Sequence, residues 1–173
     1  MKKTLIAVTL LAGAGVAGLA NAADGKINFT GTVTSAACTI TPATATQSVA
    51  LGTVNTSALA TVGSVASPTK FSIVLSSCPV AVTSATVKFD GPTDATNKNL
   101  LALTAGTGVA TGVGVGLYES DATTQIAVGS PSASKPLSAS ADTTFQFVAK
   151  YMATGTVAAG TANAVSDFTV SYN

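Results

Sequence analysis

The feature that constrains this chain most is a two-residue alternation of apolar and polar side chains, repeated in short segments. It runs through Phe71, Ile73 and Leu75, through Val87 and Phe89, and through Val113, Val115 and Leu117. It returns at Phe145, Phe147, Ala149 and Tyr151, and again at Phe168, Val170 and Tyr172. Successive side chains of a strand point to opposite faces, so each segment reads as a strand with one face buried. Turn-forming residues fill the gaps, as at Asp90, Gly91 and Pro92 or Ser130 and Pro131. Helix signals are weak, because Thr, Val, Ser and Gly dominate and no long stretch has a 3.6-residue period. Short strands separated by turns within one domain point to an antiparallel sandwich of immunoglobulin-like type, with a closed barrel as the runner-up.

Residues 41–68, rich in Ala, Thr and Ser, are expected to be surface connections and short edge strands of the same domain. The chain shows no internal repeat of fixed period. Its apolar content of 47% demands a buried core, which excludes a solvated disordered tail. Charged residues make up 9% and the formal net charge is +1, so nothing in the charge balance points to nucleic acid or anionic lipid.

At the start, Lys2 and Lys3 precede an apolar run from Leu5 to Ala20 that closes on Ala20, Asn21 and Ala22. The run is short for a spanning helix, which needs roughly 20 apolar residues. Together with the small-residue triplet it reads as a secretory signal peptide, residues 1–22, cleaved after Ala22. Export sends Cys38 and Cys78, the only cysteines, to an oxidising compartment where they are expected to pair. The alternatives are two free thiols or a two-ligand metal site, and the absence of His makes the metal reading weak.

Two ends do not fit a self-contained sandwich. In residues 23–35, Ile27, Phe29, Gly31 and Val33 share one face, and Lys26, Asn28, Thr30, Thr32 and Thr34 share the other. This segment reads as a strand, either the first of the sandwich or an extension with no place in its own sheet. Gly31 has no side chain to pack, which suggests close backbone approach or, alternatively, a bulge. Phe168, Val170 and Tyr172 carry their alternation up to Asn173, where most chains fray, so that strand is expected to be paired in a sheet.

These residues together resemble the major structural subunits of chaperone/usher fimbriae of the type 1 pilus kind. The resemblance covers residues 23–173. It rests on Gly25 to Cys38 with Phe29, Gly31 and Val33, on Cys38 with Cys78, on Gly112 to Glu119, on Phe145, Phe147 and Tyr151, and on Asp167 to Asn173 with Gly160 upstream. The resemblance implies an all-β, incomplete immunoglobulin-like sandwich at residues 36–173 that lacks its last strand and is completed by donor-strand exchange. It implies a donor strand at residues 23–35, with Ile27, Phe29, Gly31 and Val33 facing the acceptor. It also implies a chaperone-binding C-terminal strand with Gly160, Phe168, Val170, Tyr172 and Asn173. The implied partners are neighbouring copies of the chain, other fimbrial subunits, a periplasmic chaperone and an outer-membrane usher, and the implied location is an extracellular fimbrium reached through the periplasm.

An enzyme is not expected. There is no His or Trp, no cysteine is left after pairing, and the seven acidic residues are scattered. Asp90 and Asp94 flank a turn, Glu119 and Asp121 end a strand, and the glycines from Gly106 to Gly116 have neither the Lys nor the following helix of a phosphate loop. No cofactor, metal or nucleic acid is expected. The remaining readings are a minor or adaptor subunit of the same kind of fibre, or a self-contained secreted β-sandwich binding module.

Overall fold

The computed structural model describes residues 27–31, 33 and 37–173. The readings that fall on residues 1–26, 32 and 34–36, including the signal peptide, lie outside these. The chain divides into two units, Met1–Val33 and Thr34–Asn173. In the first, the described residues adopt neither helix nor strand, and Ile27, Phe29 and Val33 are 78%, 90% and 102% exposed.

The second unit is a two-sheet antiparallel sandwich and not a closed barrel. Its strands are β1 (Thr39–Ile40), β2 (Val65–Ser76), β3 (Ser84–Asp90), β4 (Thr111–Glu119), β5 (Gln125–Ile126), β6 (Lys135–Pro136), β7 (Thr143–Ala158) and β8 (Asp167–Tyr172). One sheet has the order β1-β2-β7-β4-β5 and the other β6-β3-β8. The five segments around Phe71, Val87, Val115, Phe147 and Val170 are the longer strands, with their apolar side chains turned toward the core, whereas the described residues of the alternating segment 23–35 form no strand. Ile73 and Leu75 of β2, Val87 and Phe89 of β3, Val115 and Leu117 of β4, and Phe145 and Phe147 of β7 are all buried. Phe147 sits at the centre, edge-on to Phe89 at 5.0 Å and tilted against Phe71 at 5.6 Å. Aromatic pairs at these separations contribute beyond the area they bury.

Cys38 and Cys78 are joined, with Cα atoms 4.1 Å apart. The bond fastens the start of β1 to the chain just beyond β2, and β1 pairs with the end of β2 through Thr39 and Ser76. Closing a loop of 40 residues stabilises the fold by roughly 4 kcal/mol in the chain-entropy account.

Residues 41–64 are the main departure from expectation. They contain a one-turn helix α1 (Pro42–Ala45) and a 3₁₀ turn (Thr56–Leu59), but no edge strand. Pro42 supplies the fixed φ that suits a first helical position, and Thr46 in extended conformation ends the turn. The Asn55 side chain accepts from the Ser57 amide and caps the 3₁₀ turn. β2 then begins at Val65 with an irregularity between Ala66 and Thr69, where Ser67 has a φ of 56°.

β4 is buried on both faces. Val113, Val115 and Leu117 point into the sandwich, while Tyr118 and Leu100 cover the outside at 5% and 0% exposure. Gly114 and Gly116 make this possible: a Cβ on either would come within 3.2 Å of Leu100, and one on Gly116 within 2.9 Å of the Tyr118 ring. Among the described residues, no helix is long and apolar enough to cross a membrane.

Candidate functional site

The sandwich is open along one side. A groove of about 730 Å³ runs between the two sheets, walled by residues 44–52 on one rim and 162–168 on the other. Its floor is apolar, with Phe71, Ile73, Phe89, Leu101, Val115, Leu117, Ala149 and Tyr151. Asp167 is the only charged residue in the lining. Burial raises the pKa of the Tyr151 hydroxyl, so it stays protonated and can only act as a neutral donor or acceptor. Among the described residues, no cluster of His, Cys, Asp or Glu could hold a metal. An apolar trough with no titrating pair suits the capture of a hydrophobic chain segment and not acid–base chemistry.

Strand β8 borders the trough, and its backbone leaves hydrogen-bonding groups on its free side. Among the described residues it is an edge strand, paired only with β3. Asn173 and Ser84 exchange two hydrogen bonds, Asn173 N to Ser84 O at 2.9 Å and Ser84 N to Asn173 O at 3.2 Å. In an antiparallel ladder, bonded and unbonded pairs alternate. Asp167, Thr169 and Ser171 therefore bond to β3, whereas Phe168, Val170 and Tyr172 turn their N–H and C=O groups to the free edge.

The same alternation continues upstream of β8. The Thr161 amide donates to Gly108 O at 2.9 Å, and its carbonyl accepts from Ala110 N at 2.9 Å. Asn163 O accepts from Thr104 N at 2.7 Å. Ala162, Ala164 and Ser166 thus face the groove edge with their backbone groups, while their side chains and those of Phe168, Val170 and Tyr172 are half-buried. From Ala164 to Tyr172 this row of groups spans roughly 26 Å at about 3.3 Å per residue.

The opposite rim is equally unpaired. Among the described residues, residues 47–54 make no backbone-to-backbone hydrogen bond. The Gln47 side-chain amide tethers this rim by donating to Ser72 O at 2.9 Å and Thr44 O at 3.1 Å. Two facing edges with spare donors and acceptors, above an apolar floor, lack the strand that would lie between them. Unpaired backbone in a sheet edge is a template for another chain.

Of the residues singled out in the sequence, Phe168, Val170 and Tyr172 lie together on the core-facing side of β8, and Phe168 lines the groove. The Asn173 backbone closes the pairing with β3. The Tyr172 hydroxyl pKa is raised by burial and lowered by a bond with the Cys38 backbone, so Tyr172 reaches the disulfide end of the sandwich. Gly160 is outside this strand. A Cβ there would come within 2.4 Å of Ala110 N and 2.5 Å of Gly108 O, so the glycine allows the parallel bridge between Val109 and Thr161 that starts the rim. Residues 44–52 were not legible as a wall of the site, because nothing in their sequence alternates cleanly; the length of unassigned chain inside the disulfide loop was the only signal.

The family model described as "Fimbrial protein" matches residues 27–173. A curated relative, the type-1 fimbrial protein subunit of Serratia marcescens, is 37% identical over 99% of this chain and 99% of its own length. The solved structure of an antigen and type I fimbria protein of Burkholderia pseudomallei is 40% identical, covers 86% of this chain and 97% of that one, and superposes with a TM-score of 0.61. The P pilus rod subunit, 21% identical and covering 79% and 99%, shares the fold with a TM-score of 0.66.

Proposed function

This chain belongs to the fimbrial protein family and is a structural fimbrial subunit, and from that premise we propose that it polymerises by donating residues 23–35 to the groove of a neighbouring copy. The observation that supports this reading is the row of backbone groups from Ala164 to Tyr172 that, among the described residues, have no partner on the groove side, beside an apolar floor. The segment 23–35 has what such a groove requires. Its apolar residues alternate, and about 13 extended residues reach roughly 43 Å, more than the rim. Ile27, Phe29 and Val33 are exposed in their own unit, and burying them elsewhere contributes roughly 4.5 to 9 kcal/mol at about 1.5 to 3 per side chain. Ladder hydrogen bonds add about 0.5 to 1.5 kcal/mol each. Gly31 lets the two backbones approach closely at its rung.

Donor and acceptor surfaces differ, so the contact is head to tail and builds a filament instead of a closed dimer. The free edge also explains the need for a helper before assembly. A periplasmic chaperone would cover the groove and the face of β8 carrying Phe168, Val170 and Tyr172, and an outer-membrane usher would exchange it for the next subunit. Residues 1–22 act as the signal peptide that starts this route, which ends in an extracellular fimbrium.

Deletion of residues 23–35 tests the reading. The shortened chain is expected to be captured by the chaperone and to accept a donor strand, yet to add to no further subunit. Filaments of normal length built from it, seen by electron microscopy, would refute the donor role.

A further inference from the structure

The groove has a marked end. On the β8 side, the first groove-facing carbonyl of the rim, that of Ala162, accepts a hydrogen bond from the Tyr151 hydroxyl at 3.1 Å. Tyr151 rises from the floor on β7 and is 7% exposed. The hydroxyl lies where the N–H of an incoming strand would otherwise arrive, because Ala162 points its backbone groups to the free edge. On the opposite rim, the carbonyl of Leu51 accepts from the Ser67 hydroxyl. Ser67 follows Ala66, and Ala66 is the cross-strand partner of Tyr151. Both hydroxyls therefore close carbonyls at the same end of the trough.

The local backbone is shaped to place them. Ser67 holds a left-handed φ of 56° at the irregularity between Ala66 and Thr69, a conformation costly for a residue with a Cβ. Gly52, with a φ of 71°, turns the first rim away directly after Leu51. Gly160, pressed against Gly108 and Ala110, starts the other rim just before Ala162.

We infer that Ser67 and Tyr151 form a paired hydroxyl stop that ends the ladder of the accepted strand and so sets its register. The inference rests on the proposed strand donation. The apolar floor alone permits slips of two residues, since these return the same set of side chains to the groove, whereas a slip of one turns them out. An end at which both rim carbonyls already have a donor gives no hydrogen-bond reward to a strand that slides past it. Ser67 and Tyr151 are positioning residues, acting on the strand through the Leu51 and Ala162 carbonyls.

The test uses the full oxidised chain and a synthetic peptide of residues 23–35 carrying a photoreactive benzophenone in place of the Phe29 ring. Cross-links mapped by mass spectrometry report which rim residues face that position. In the unaltered chain they are expected to cluster on one rung. In the Tyr151→Phe, Ser67→Ala double variant a second cluster is expected two residues nearer Ala162 and Leu51, its share rising about 2- to 10-fold for each hydrogen bond the shifted strand gains. Tyr151→Phe alone keeps the ring and its packing, so it supplies the readout if the double variant fails to fold. A variant that binds the peptide in the same single register overturns the stop even if its melting temperature falls, because a purely structural role would move stability and leave register alone. Failure of the unaltered chain to take up the peptide would overturn the strand-donation reading itself, and the stop with it.

Discussion

The two faces of the five-stranded sheet are treated differently by the same chain. The outer face is sealed from within: Leu100 lies over Gly114 and Gly116, Tyr118 and Val148 are 5% and 2% exposed, and Lys150 stands over the Tyr118 ring at 4.3 Å. The inner face is sealed only in part. Phe147 is buried against Phe89 of β3, but Phe71 is left half-buried along the groove, as is Phe168 on the facing sheet. The contrast shows that the open groove does not come from a shortage of apolar residues or of loops able to cover a sheet. Cover is withheld at the one edge where two rims keep their backbone groups free.

The strongest perturbation of this contrast is Leu100→Ala, which empties the outer seal. Truncating a fully buried Leu costs about 2 to 5 kcal/mol. The denaturant midpoint of the chain should fall accordingly, with or without bound donor peptide, and a loss confined to the peptide-bound form would break the distinction between faces.

Gly160→Ala comes next. Its Cβ would meet backbone at 2.4 Å, and forced overpacking costs about 1 to 3 kcal/mol. Because the Val109–Thr161 bridge anchors the rim, hydrogen exchange should rise at residues 161–166 before it rises in β3 or β4.

Phe168→Ala sharpens the comparison on the inner face. In the empty groove the half-buried ring contributes about 1 kcal/mol, and in a filled groove about 2 to 3 kcal/mol. The variant should therefore destabilise the peptide-bound chain more than the free one, the opposite of Leu100→Ala. Equal losses in the two forms would mean that the ring is not part of the acceptor floor.

The smallest effect belongs to Asp121, in the turn after β4. Its carboxylate accepts from the Thr124 hydroxyl at 2.6 Å, and from the amides of Thr124 and Thr123, which lowers its pKa to about 2. A folded value below the unfolded one contributes stability above pH about 4, lost as pH falls toward about 2. The melting temperature of the unaltered chain should drop slightly over that window, and Asp121→Asn should flatten the drop. The group is fully exposed and far from either buried face, so donor peptide should not change the result.

Much of the fold was legible in the sequence because a half-buried strand must alternate. The strands around Phe71, Val87, Val115, Phe147 and Val170 were each visible for that reason, and the cysteine pairing followed from export. The outer seal was less visible, since Gly114 and Gly116 read as gaps in a strand until Leu100, brought from a separate loop, is seen to fill them. The rim at residues 44–52 was hidden for a related reason. It makes no ladder of its own, so no periodicity was imposed on it. Gly160 was grouped with the last strand only through the resemblance to the fimbrial family, whereas its contact with Gly108 and Ala110 is long-range and leaves no local trace.

The disulfide has a mechanical consequence. Any pull on residues 23–35 enters the sandwich through Cys38, ahead of the two-residue β1, which has few bonds with which to resist shear. The Cys38–Cys78 link passes that load covalently to the far end of β2, a strand zipped to β7 over most of its length. Tension along a fibre would thus bypass this short strand, and a reduced subunit would begin to peel at β1 under forces that the oxidised one transmits intact.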